Sequence, residues 1–244
     1  MTATGTVLVT GVAQGIGRAV VRRLAADGYT VLGLDKAAAA PPELTAFEQV
    51  DVTDAEAAKA ALARLADRYA FTRLVNNVGS SQRENVVEGS PETQRWLSRL
   101  NIGSVLMAVQ AALPAMKDAG FGRIVNLTSR AVHGRETRSA YAATKSAVAS
   151  LTRGWAVELA PFGITVNAVG PGMIDTELFR RNNPHNAPDV TRLRQAVPMQ
   201  RLGQPEEVAQ AIAFFLDART SYVTGQSLYV CGGLSLGART PPAA

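Results

Sequence analysis

Short runs of consecutive apolar residues alternate along this chain with longer stretches whose apolar positions recur every three or four residues. The first kind predicts strands buried on both faces, the second predicts helices with one packed side. Strands are expected at Thr6–Val9, ending at Thr10-Gly11, at Thr30–Leu34, closed by Asp35, and at Phe47–Val50. Four more follow at Arg73–Val75, Arg123–Thr128, Thr165–Val169 and Gln226–Val230. Helices are expected over Ile16–Ala26, from a Thr53/Glu56 capping box through Tyr69, from Ser90-Pro91 onward, over Ser139–Ala160 and over Pro205–Leu216. The run Ala37 to Pro42 stands where a helix after the second strand would be. Regular alternation of strand and helix without an internal repeat predicts a single α/β domain over residues 1–244, a doubly wound parallel sheet with helices on both faces.

Composition narrows the function classes. No Pro/Gly/Ser-rich linker divides the 244 residues. The lone Cys231 excludes an internal disulfide, and with only two histidines no transition-metal site is expected. No apolar run reads as long enough to span a bilayer, and no charged-then-apolar leader opens the chain, so a soluble, cytoplasmic protein without membrane partners is expected. The net charge of +5 prompts a search for a nucleic-acid footprint. Arg18, Arg22 and Arg23 share one helix, but the other basic residues are scattered among acidic ones, so no nucleic-acid partner is expected. The surplus arginine suits solubility, interfaces or an anionic substrate.

Two clusters carry chemistry. The turn after the first strand holds Gly11, Gln14, Gly15, Ile16 and Gly17. Glycines there permit a tight turn and a close backbone approach by a pyrophosphate, which the following helix N-terminus attracts. Asp35, at the end of the second strand, suits the ribose hydroxyls of NAD and would repel the 2′-phosphate of NADP, with neighbouring Lys36 softening the preference. Tyr141 and Lys145, four residues apart on a helix, share a face. An ammonium beside a phenol stabilises the phenolate and makes the tyrosine a usable acid/base near neutral pH.

With Asp51-Val52, Asn76-Asn77-x-Gly79, Asn101, Ser129 and Pro171-Gly172, these motifs make the chain resemble the short-chain dehydrogenase/reductase family over nearly its whole length. The resemblance implies a Rossmann-type fold and an NAD(P) cofactor. It places Asp51 and Val52 at the adenine, and Asn77, Val78 and Gly79 along the cleft. Pro171, Gly172, Ile174 and Thr176 would lie at the nicotinamide. By the same resemblance Tyr141 is the general acid/base, Lys145 also bonds the nicotinamide ribose, Ser129 bonds the substrate oxygen, and Asn101 holds a water in a proton relay. Two departures stand out. Val78 replaces the family's usual alanine, and the segment between Ser129 and Tyr141 is one residue short; Thr128 would restore the count, but the strand aligns better on Ser129.

The substrate side is read more coarsely. Residues 173–200, with Phe179, Arg180, Arg181 and His185 and no clean period, suggest a lid; Ser80 to Arg83, Arg130 and His133 are expected to border the same pocket. On the long helix, Val148, Leu151, Trp155 and Leu159 form an apolar stripe expected in the core. Ala143, Ala147, Ser150 and Gly154 form a small-residue face, where the resemblance implies a subunit contact in a homotetramer. The expected function is an NAD-dependent oxidoreductase interconverting a secondary alcohol, cyclic, aromatic or a cis-dihydrodiol, and its ketone. A 3-oxoacyl-thioester reductase is the alternative within the enzyme class, and a catalytically silent nucleotide-binding protein the alternative outside it.

Overall fold

A computed structural model describes residues 5–182 and 188–237. Seven parallel strands form one sheet in the order β3-β2-β1-β4-β5-β6-β7. They are β1 (Thr6–Thr10), β2 (Thr30–Asp35), β3 (Ala46–Gln49), β4 (Arg73–Asn76), β5 (Gly122–Leu127), β6 (Ile164–Pro171) and β7 (Ser227–Val230). Successive strand side chains point to opposite faces, which splits the core into two layers. Val7 and Val9 of β1 face α1 (Gly15–Ala26) and α8 (Pro205–Leu216), meeting Val20, Leu24, Val208 and Ile212. Leu8, between them, faces the other layer, built from α2 (Ala55–Tyr69), α4 (Ser104–Asp118) and α5 (Ser139–Leu159). The single doubly wound α/β domain expected from the apolar pattern is the observed fold.

Local departures have physical causes. The cap of α2 is Asp54, whose carboxylate accepts from the Ala57 N–H at 3.1 Å, and not Thr53. Thr53 is held one residue earlier by Asp51, through its N–H at 2.9 Å and its hydroxyl at 2.7 Å. Ser90 does cap α3 (Pro91–Ser98), accepting from the Thr93 N–H at 3.1 Å. From α3 the chain runs through one π-turn at Arg99–Gly103 directly into α4. The joined helix, Pro91–Asp118, is 28 residues long and contains an 18-residue window with a mean hydropathy of 1.2, enough by length and composition to cross a bilayer, where no such run is expected from the sequence. Here it acts as a core helix: Val105, Ala108, Val109, Ala112 and Met116 pack into the layer beneath the sheet.

The segment expected to be an irregular lid instead holds α6 (Glu177–Asn182) and α7 (Pro188–Ala196), on either side of residues outside the described range, among them His185. On α5, Val148 and Leu159 are buried, Trp155 packs partly against the cluster that holds Leu159, and Leu151, the fourth residue of the expected stripe, is half-buried. Ala143, Ser150 and Gly154 are exposed, so that face does not pack on the chain's own sheet.

The end of the sheet where the strands begin carries two buried arginines. Arg73 donates to the Leu216 carbonyl at 3.1 Å and lies over the Tyr29 and Phe121 rings at 5.3 and 4.7 Å. Arg123 lies over Phe121 at 4.2 Å and donates to the carbonyls of Gly122 and Ala218 at 2.8 and 3.0 Å. Both feel the Asp217 carboxylate.

Candidate active site

In a doubly wound sheet the crevice opens where the strand order reverses, at the carboxyl ends of the strands. Here that point lies between β1 and β4, each paired to the other and continuing outward in opposite directions. Thr10 and Asn77 lace the two strands together. The Thr10 hydroxyl accepts the N–H groups of Asn77 and Val78 at 3.1 and 3.2 Å, and the Asn77 amide donates to the carbonyls of Thr10 and Gly11 at 3.0 and 2.8 Å. The result is a cleft of about 480 Å³.

The glycine turn forms one wall. Gly11 and Gly15 have φ of +74° and +53°, and a Cβ on Gly17 would stand 1.9 Å from the Gly11 carbonyl oxygen. Gln14 opens α1 without a side-chain cap, leaving Ile16 and its neighbours at a bare helix start. One amide there is taken: the Gly15 N–H donates to Glu177 Oε2 at 3.0 Å, with Arg18 on the same carboxylate at 3.8 Å. Asp35 is fixed by two backbone amides, from Ala13 and Ala37, both at 2.9 Å, so it is a built wall of the cleft. Asp51 also lines it; its carboxyl is held below the usual range by its hydrogen bonds to Thr53, with a smaller push from Lys36. Val52 and Val78 line the same side, Val78 packing partly into the core. A turn without room for side chains, a helix start and a fixed carboxylate on the next strand fit a dinucleotide: the turn would hold its pyrophosphate and Asp35 its adenosine ribose.

Tyr141, Ser129 and Lys145 meet at the other end of the cleft, with Gly79, Pro171, Gly172, Ile174 and Thr176 around them. Ser129 lies against the Tyr141 hydroxyl, where its side chain draws the phenol's pKa down. Thr128 turns away and donates to the Val169 carbonyl at 3.1 Å, so the short segment leaves the serine, not the threonine, facing the tyrosine. Lys145 is buried, its Nζ donating to the Leu127 carbonyl at 2.8 Å. Burial pushes its pKa down to about 8.

Burial raises the Tyr141 phenol above its ordinary value, and this outweighs the downward pull of Ser129, then Arg135, then Arg138. Two arginines thus act on the phenol, cations that the sequence analysis did not single out. Asn101 is fully buried with its side chain engaged: Oδ1 accepts from the Ser80 N–H at 3.0 Å, and Nδ2 donates to the Ser80 carbonyl at 3.0 Å and to Thr144 Oγ1 at 2.9 Å. It is a tie between helix and cleft wall, and one side of Gly79 abuts both its Oδ1 and Lys145 Nζ.

Several expectations about the substrate side change. Ser80 and Ser81 line the cleft, as do Phe179 and Arg181, but Arg83, Arg130 and His133 do not. His133 packs on Tyr229, ring centroids 4.9 Å apart, and Arg180 pairs with Asp175 at 2.8 Å. In their place stand Arg135 and Arg138, with Trp96, none of which the sequence singled out. The available signal was three arginines against one glutamate in the nine residues after Ser129.

Comparison with known proteins agrees with this geometry. The chain matches a family model described as Enoyl-(Acyl carrier protein) reductase over residues 11–235. It is 34% identical to an L-2,3-butanediol dehydrogenase of Corynebacterium glutamicum, covering 93% of this chain and 97% of that protein. It is equally, at 34%, identical to a 3-oxoacyl-[acyl-carrier-protein] reductase of Thermotoga maritima, covering 93% of this chain and 96% of the relative. Among solved structures, the ligand-free aldohexose dehydrogenase of Thermoplasma acidophilum superposes with a TM-score of 0.89 at 32% identity, covering 98% of this chain and 96% of the other.

Proposed function

Because the chain belongs to the short-chain dehydrogenase/reductase family, whose members use NAD(P), we propose that it is an NAD-preferring oxidoreductase interconverting a secondary alcohol and its ketone. The observation that carries the reading is the contact of Ser129 with Tyr141 above buried Lys145, in a cleft whose far wall is Asp35. The bound nicotinamide supplies the hydride acceptor or donor. Tyr141 takes the hydroxyl proton in oxidation and returns it to the carbonyl oxygen in reduction. Ser129 donates a hydrogen bond to that oxygen and steadies its developing charge. Lys145, beside Gly79 at the same end, would hold the nicotinamide ribose and pass protons, its pKa of about 8 placing both of its forms within reach of working pH. Asp35 would accept the adenosine ribose hydroxyls and oppose a 2′-phosphate. Residues 173–200 would cover the substrate, and the exposed small-residue face of α5 would join subunits of a homotetramer.

The test is the purified protein with NAD or NADP and a panel of secondary alcohols and cis-dihydrodiols, followed by absorbance of the reduced nicotinamide, with Tyr141→Phe in parallel. Turnover with NAD that falls at least about a hundredfold in the variant is the expected result. An unaffected variant overturns the role of Tyr141; a clear preference for NADP overturns the reading of Asp35. The Thermotoga relative supports a second reading, a 3-oxoacyl-thioester reductase, which NADPH-dependent reduction of an acetoacetyl thioester would favour.

A further inference from the structure

The segment from Ser129 to the start of α5 places cations that no ion pair among the described residues balances. Arg135 and Arg138 line the cleft beside Ser81, Ser129 and Tyr141. Arg138 is 9% exposed, and among the described residues the one side-chain partner of its guanidinium is the Ser81 hydroxyl. Arg130, nearby, has a buried Nε without a hydrogen-bond partner. Among the described residues none of Arg83, Arg130, Arg135 and Arg138 forms an ion pair. The backbone of Glu84 bridges to Arg138, but one of its carboxylate oxygens accepts from the Thr93 hydroxyl and the other is buried without a hydrogen-bond partner, so neither bonds a guanidinium. The field is positive from a second source as well. Arg138 stands at the N-cap of α5, which has no side-chain cap and no acidic residue in its first turn, so its N-terminal partial charge adds to the arginines.

A buried, unpaired guanidinium is costly, and such groups persist where a ligand completes them. We infer that Arg135 and Arg138, with the Ser81 hydroxyl, clamp an oxyanion on the substrate, a carboxylate or a phosphate close to the carbinol that Tyr141 and Ser129 address. This names the substrate class of the active site proposed above, and rests on that reading. The substrate is then a hydroxy acid or hydroxy-phosphate and its keto counterpart, in place of a neutral diol. Arginine suits the task because its planar fork meets two oxygens at once. The cluster also acts on the chemistry: with the substrate anion seated, part of the positive charge that draws the phenol towards its ionised form is neutralised.

Two measurements test the clamp. In the first, kcat/KM is compared for hydroxy acids, hydroxy-phosphates and the methyl esters of the same acids, in the parent enzyme and in Arg135→Gln and Arg138→Gln. The anionic substrates should lead, and the anion-to-ester ratio should drop about ten- to a hundredfold in each variant, the loss of one charged hydrogen-bonded contact. The acid and phosphate arms separate the two sources of the oxyanion. In the second, the melting temperature of the NADH-loaded protein is followed with malonate and with inorganic phosphate. A rise in the parent that is absent from both variants supports the clamp even where no substrate has been found. An unchanged anion-to-ester ratio, or equal melting shifts in parent and variants, overturns it. Turnover of neutral alcohols without anion preference overturns the clamp alone. NADH binding without turnover of any substrate overturns the proposed oxidoreductase reaction, and the melting shifts then decide the clamp separately.

Discussion

The two ends of the sheet each carry a pair of arginines withdrawn wholly or partly from water, and the pairs are finished differently. At the strand beginnings, Arg73 and Arg123 spend their N–H groups on the carbonyls of Leu216, Gly122 and Ala218, lay their planes on Tyr29 and Phe121, and feel the Asp217 carboxylate. At the strand ends, Arg135 and Arg138 face a cleft, a serine hydroxyl and one another. Burial lowers the pKa of all four, but among the described residues only the first pair spends its donors on main-chain carbonyls and feels a carboxylate, that of Asp217, which itself pairs with Arg219. A cation completed by its own fold is structural. One left open beside reactive groups points outward, to something that binds.

The contrast can be broken most forcefully at the finished end. Arg73→Met removes a donor, two ring contacts and a charge balancing Asp217, and should cost about 3 kcal/mol in urea unfolding. A loss below about 1 kcal/mol would mean the pair is not structural.

Lys145, a buried cation with a single carbonyl partner, is the intermediate case. Its pKa falls from 10.5 to about 8 on folding, so below pH 8 both states are charged and the folded state carries the full cost, about 3 kcal/mol. From pH 8 to 10.5 the folded lysine loses its proton while the unfolded one keeps it, so stability climbs. Lys145→Met should therefore be more stable than the parent at pH 7, by about 2 kcal/mol after loss of the Leu127 hydrogen bond, with the gap closing towards pH 10 while activity is lost. A gap independent of pH would sink this account. The smallest effect belongs to the open pair. Arg135→Gln relieves repulsion from Arg138, Arg130 and Arg83 and should stabilise by about 0.5 kcal/mol, the reverse of Arg73→Met; a large loss would mean Arg135 is a structural residue after all.

This comparison also marks what the amino-acid order makes legible. The strands are readable because Val7, Leu8 and Val9 are buried on alternate faces, leaving no polar position to blur the run. The glycine turn is readable because no other residue fits at Gly17. The α2 cap is misread by one position because Thr53 and Asp54 both carry a capping oxygen, and only the competing bond to Asp51 decides between them. The arginines are illegible for a deeper reason. Arg73 and Arg135 are the same side chain, and which one is answered depends on residues as distant as Leu216 and Asp217 folding back on it. Likewise, the dominance of burial over charge at Tyr141 depends on what packs around it, which the four-residue spacing to Lys145 does not contain.

The forbidden Cβ at Gly17 has a consequence for the lineage of this chain. Where an added methyl group would run into a backbone oxygen, no side chain fits without moving the turn, whatever dinucleotide its bearer favours. Asp35, by contrast, is steadied by two main-chain amides, those of Ala13 and Ala37, which ask only for an acceptor there and leave neighbouring Lys36 exposed. A descendant changing its coenzyme would accumulate its substitutions at positions 35 and 36, over a glycine turn that keeps its shape.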